Sequence, residues 1–129
     1  MSWKCRLINY EEMLEKGEKL QPGDMFYCDE DLLEIEVYKK EIISPEYFRD
    51  WYGKRLPIII VLPNGHHWLI DSRFGGGVDG KRKEHGWIIT GEIPNLTATP
   101  SINHLGQNGY HGWLKNGILS DDLEGRIYS

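Results

Sequence analysis

Cysteine is scarce in this chain: Cys5 and Cys28 are the two among 129 residues. Two thiols cannot build the disulfide framework of a small secreted domain, so a reducing, cytosolic setting is expected and a Cys5–Cys28 bridge is not. No apolar run approaches the roughly 18 residues of a membrane span. The opening segment MSWKCRLINYEE has no apolar core of a signal peptide. Excess positive charge is missing as well. A formal net charge of −5 argues against general nucleic-acid binding and against anionic membrane surfaces. Motifs of known chemistry are also lacking. There is no Gly-x-Ser-x-Gly nucleophile elbow, no Gly-Lys-Ser/Thr phosphate loop and no Cys/His spacing of a zinc site. No cofactor and no metal are implied.

What is present is a globular composition. Apolar residues make up 40 % of the chain, with five Trp and seven Tyr, enough for one domain spanning residues 1–129. Asn9 can cap a short helix over Tyr10 to Lys16, which Gly17 can end. Gln21-Pro22-Gly23-Asp24 is a turn, and Met25 to Cys28 a short strand. The acidic run Asp29 to Glu36 reads as a solvated face. Ser44-Pro45-Glu46 starts a second helix with an aromatic stripe of Tyr47, Phe48, Trp51 and Tyr52 facing the core. Pro57 to Leu62, the turn Pro63-Asn64-Gly65 and His66 to Asp71 form a hairpin. Alternation there sends His66, Trp68 and Ile70 to one face and His67, Leu69 and Asp71 to the other. The His-His pair therefore cannot chelate one metal by itself.

Arg73 to Lys83 is a loop with three successive glycines and a Lys-Arg-Lys run. It is a solvated segment by default and an anion nest otherwise. Trp87 to Ile89 is a third strand, followed by a turn at Glu92-Ile93-Pro94-Asn95. Pro100 to Gly109 reads as a polar loop. Tyr110 to Leu114 and Ile118 to Leu119 form a last hairpin around Lys115-Asn116-Gly117. The expected fold is α+β: a small antiparallel sheet or open β-barrel of five or six strands with one or two short helices.

Several stretches carry a resemblance. Pro22-Gly23-Asp24-Met25, Leu62-Pro63-Asn64-Gly65, Ile70-Asp71, Gly86-Trp87, Thr90 to Asn95, Thr97, Pro100-Ser101-Ile102 and Tyr110-His111-Gly112-Trp113-Leu114 resemble a family of small uncharacterised phage and prophage proteins. The Pro-Ser-Ile step and the His-Gly-Trp-Leu run are also similar to the uncharacterised DUF6527 family. Relatives of that second kind carry additional cysteines near the Ser-Ile step, and this chain has none there. The resemblance implies a phage or prophage origin and a host-cytoplasm setting, and it implies no activity.

The candidate site follows from residues that a core and its turns do not require. Ser101 and His111 form the pair to weigh first. A Ser beside a His becomes a nucleophile when a carboxylate orients the ring, and Asp71 or Glu92 could supply it. The plainer reading of Ser101 is a backbone bond within a turn, and that of His111 a bond to a loop carbonyl. His104 could join His111 at a metal, but two His without Cys or paired carboxylates are a weak ligand set. Trp87 and Trp113 offer flat surfaces that exceed what one small core needs. With Arg73, Asn95 and Thr97 they suit a planar, polar, phosphorylated ligand.

The expected function is a phage-encoded, non-catalytic binding protein that sequesters a nucleotide-like host immune signal. Its ligand-binding set is Arg73, Trp87, Asn95, Thr97, Ser101, His104, Tyr110, His111 and Trp113. The alternatives are a small hydrolase using His111 with Ser101 and an acidic residue, and an interaction module that inhibits a host defence protein through an exposed Trp surface. Exposed strand edges would allow a homodimer.

Overall fold

The computed structural model describes residues 1–28, 32, 58–70, 88–104, 106 and 108–128. The second helix expected from Ser44, the acidic run except Leu32, and the Arg73 to Lys83 loop lie outside the described residues. Within them the elements are β1 (Trp3–Lys4), β2 (Arg6–Leu7), α1 (Tyr10–Lys16), β3 (Asp24–Tyr27), β4 (Ile58–Val61), β5 (His67–Leu69), β6 (Ile88–Thr90), β7 (Thr97–His104), β8 (Tyr110–Lys115) and β9 (Ile118–Leu119). None of the described helices is long and apolar enough to cross a membrane.

The small α+β fold stands, but the strands divide between two sheets rather than one, and neither closes into a barrel. One sheet has five strands in the order β1-β9-β8-β7-β6, the other four in the order β2-β3-β4-β5. All pairings are antiparallel except β2 with β3, where Arg6 faces Asp24 and Leu7 faces Met25. Asp24 is buried, and its carboxylate is satisfied by Nε of Arg6 at 2.6 Å and the amide of Gln21 at 2.8 Å.

The central strand β4 is a run of four β-branched residues, all buried, as a strand covered on both faces requires. Its side chains alternate between two clusters. Ile58 and Ile60 join Met25, Trp68, Ala98, Ile102, Tyr110 and Leu114 in the core between the sheets. Ile59 and Val61 join Tyr10, Phe26 and Leu69 under α1. Trp68 and Ile70 thus face the inter-sheet core and Leu69 faces the other way, as the alternation expects. Cys5 belongs to the first cluster and Cys28 to the second. The two are buried and not bridged to each other, and burial, with the Asp24 carboxylate nearby, pushes the thiol of Cys5 up to about 12.

Helix α1 has the termini its sequence calls for. The Asn9 side chain accepts the Glu12 amide at 2.9 Å, and Gly17 ends the helix at φ 68° with its N–H on Leu14 and Met13 carbonyls. Seven residues are too few to hold a helix alone, so packing fixes it. The Tyr10 ring lies 4.8 Å from Phe26 and 6.4 Å from His67, centroid to centroid.

One segment departs from its expected form. Pro100 lies inside an eight-residue strand, β7, and not at the start of a loop. Its missing N–H is tolerated because the ladder is interrupted there. Ala98 pairs with Leu114 and Ile102 with Gly112, so four steps along β7 match two along β8. Such bulges are where a strand accepts proline and redirects a side chain.

Candidate functional site

The β7–β8 pair carries the site. Along β8, Tyr110, Gly112 and Leu114 point inward and are buried, while His111 and Trp113 are half-buried and Lys115 is exposed. The outward residues therefore share the sheet face turned away from the core. The β7 bulge spans Thr99 to Ser101 opposite Trp113, and Asn103 faces His111 in register. Ser101 Oγ lies 3.2 Å from His111 Nε2. Lys115 holds its ammonium 4.9 Å from the centre of the Trp113 ring, a cation on an indole face.

The chain after β9 completes the surroundings of His111. Its carbonyl accepts the Leu123 amide at 2.7 Å, and its own amide donates to Asp122 Oδ1 at 2.8 Å. Glu124 Oε2 lies 4.0 Å from His111 Nδ1 and 2.9 Å from Arg126 Nη1. Four polar groups of one residue are thus each faced by a partner: two on the backbone and both ring nitrogens.

Asp122 organises this segment. Its side chain is buried, and besides the His111 amide it accepts the amides of Glu124 and Arg126, Nη1 of Arg126 and the hydroxyl of Tyr128. Burial by itself would raise this carboxyl. The Arg126 and His111 amides and the Arg126 guanidinium outweigh it and hold the group at about 2.

Arg73, Trp87 and the candidate acid Asp71 lie outside the described residues. The backbone carbonyl of Glu92 accepts the Asn95 amide at 2.6 Å in the turn before β7. The backbone of Asn95 packs against Gly117, where an added Cβ would lie 2.9 Å from the Asn95 Cα. Thr97 Oγ1 accepts the Asn116 amide at 2.9 Å and so ties down the β8–β9 turn. Tyr110 is fully buried and donates its hydroxyl to the Ser120 carbonyl at 2.7 Å. Burial pushes this phenol up to about 12.

His104 belongs to a different polar group, which clasps the turn before β5 to the end of β7. Its ring stacks on His66 at 4.0 Å and 12°. Asn64 Nδ2 approaches His104 Nδ1 at 2.7 Å and donates to the Asn108 carbonyl at 2.9 Å, while Asn64 Oδ1 accepts the His66 amide at 3.1 Å. Two backbone partners therefore fix which end of the Asn64 amide is nitrogen. That makes His104 Nδ1 an acceptor and places the ring proton on Nε2. Parallel stacked rings do not converge their lone pairs on one ion. Among the described residues no group of three or more His, Cys, Asp or Glu is arranged to hold a metal.

Ser101, His111 and Trp113 are thus brought to one face; Thr97 lies on that face beside Lys115 with its hydroxyl held by the Asn116 amide, and Asn95, His104 and Tyr110 are placed elsewhere. Glu124, Asp122, Arg126, Asn103 and Lys115 were missed from sequence. The one available signal was the charged run Asp121-Asp122-Leu123-Glu124-Gly125-Arg126 directly after the last strand. Comparisons with protein-family models, with curated proteins and with solved structures return no match.

Proposed function

We propose that the protein is a phage-encoded binding protein that sequesters a small, planar, phosphorylated ligand of the nucleotide-like host-signal class in the host cytoplasm. The observation that carries this reading is the open face of β7 and β8. It sets a half-buried indole and a Lys115 ammonium beside the paired Ser101 hydroxyl and His111 imidazole. A purine or pyrimidine ring can stack on Trp113, the ammonium can swing to an anionic phosphate, and Ser101 and His111 offer hydrogen bonds to its edge. The phage resemblance of the Pro-Ser-Ile and His-Gly-Trp-Leu runs supplies the biological setting.

Titration calorimetry against cyclic oligonucleotides and ADP-ribose-type compounds tests it. One of them is expected to bind more tightly than about 10 μM, near −7 kcal/mol. Trp113→Ala should weaken that binding by roughly tenfold or more, the worth of one stacked base. Absence of any binding at that level across the set overturns the reading.

A further inference from the structure

Holding a ligand does not account for how His111 is built in. Ser101 sits in a strand bulge that turns its hydroxyl toward Nε2 at 3.2 Å. On the far side of the ring, Glu124 lies 4.0 Å from Nδ1. Glu124 is carried there by a segment whose path is set by the buried Asp122, which also grips the His111 amide. Arg126 steadies the Glu124 carboxylate at 2.9 Å. Hydroxyl, imidazole and carboxylate thus stand in the order that activates a serine. Side-chain exposures of 29 % for His111 and 54 % for Glu124 leave the group reachable from solvent.

We propose that Ser101 is a nucleophile toward small activated carboxylic esters, with His111 as its base and Glu124 as the positioning residue for the ring. The proposal shares Ser101 and His111 with the nucleotide-binding reading but does not require that a nucleotide bind. In the first step Ser101 Oγ forms a bond to the ester carbonyl carbon and its proton passes to His111 Nε2. The bond from that carbon to the leaving oxygen breaks, and the alcohol departs with the proton from Nε2. In the second step water, deprotonated by His111, attacks the acyl-serine, releases the carboxylic acid and restores the Ser101 hydroxyl. Glu124, opposite Nδ1, favours the tautomer with the proton on Nδ1 and a free lone pair on Nε2. Asn103, cross-strand from His111, adds an amide to the same face. The site is a sheet face, so small acyl groups suit it better than long ones.

The test is p-nitrophenyl acetate with the full chain, read as p-nitrophenol release and as acetylated peptide by mass spectrometry. Acetylation is expected on Ser101 and lost in Ser101→Ala. His111→Gln should slow acylation by about 100-fold or more. In Glu124→Gln acylation should slow and Glu124→Asp should restore part of the rate, whereas a purely structural Glu124 leaves the rate unchanged in a folded variant. Near-ultraviolet circular dichroism checks that each variant is folded. If Ser101→Ala does not fold, Ser101→Cys takes its place. Its new thiol should then react with iodoacetamide while the buried Cys5 and Cys28 do not, and His111→Gln should slow that reaction.

Wild-type acylation no faster than by free imidazole, an adduct that persists in Ser101→Ala, or a Ser101→Cys thiol indifferent to His111 each overturns the proposal. The calorimetric outcome stands apart from all three.

Discussion

The backbone N–H of His111 donates to the buried carboxylate of Asp122 at 2.8 Å. This bond joins the strand that carries the site to the segment that brings Glu124 beside it. Four further donors converge on the same carboxylate, so a single side chain fixes the path of residues 122–128.

Asp122→Ala is therefore expected to lower stability by about 2–4 kcal/mol, because it strands several donors at once. Urea denaturation measures it. The pH dependence has a defined sign. The carboxyl is held at about 2 in the folded chain, below its unfolded value near 3.9. Its contribution is complete above the unfolded value and is lost as pH falls through about 2. Asp122→Asn should flatten that acid limb of the stability curve. An unchanged limb would mean that other carboxyls dominate it.

The histidine clasp predicts a second pH effect at milder acidity. Burial, then the neighbouring His104 and His67 rings, lowers the pKa of His66, and burial lowers that of His67. The unfolded chain takes up these protons first as pH falls through roughly 6.5, so the folded state binds fewer. Thermal stability should be greatest above that pH and decline below it. Nuclear magnetic resonance titration of the two rings should give midpoints below that of free histidine. Midpoints at or above it would contradict the stacked, neutral arrangement.

Gly112 is the most space-limited of the described glycines. A Cβ there would overlap the Tyr110 hydroxyl and ring and come within 2.8 Å of Ser120 Oγ. Tyr110 is fully buried and hydrogen-bonded to Ser120, so it cannot swing aside. Gly112→Ala should cost about 1–3 kcal/mol by overpacking. Thermal melting against wild type provides the measurement, and a neutral result would require Tyr110 to repack.

Local chemistry made much of the fold readable from sequence. Asn9 and Gly17 bound α1 as capping rules require, and the Pro63-Asn64-Gly65 and Lys115-Asn116-Gly117 turns lie where hairpins place them. Strand β7 was hidden because Pro100 and its polar neighbours imitate a loop, and its bulge exists only in register with β8. Strands β1 and β2 are two residues each, too short for any period, and they take their form from Leu119 and Asp24. Ser101 and His111 were paired by residue type, and the structure sets them in hydrogen-bond contact. Glu124 was out of reach of such reasoning, because its position depends on a tertiary contact of Asp122.

The division of the opening strands has a consequence for the order of folding. β1 joins the five-stranded sheet and β2 the four-stranded one, with Cys5 between them donating its amide to Gly117 at 2.7 Å. Residues 3–7 are thus a stitch through both sheets. The stitch cannot be drawn until β9 has been synthesised and has found β8. Contacts so distant in sequence form late and slowly. A nascent chain therefore keeps Trp3 and Cys5 unburied until β8 and β9 have emerged, an interval in which a chaperone, or a reactive oxidant, has access to them.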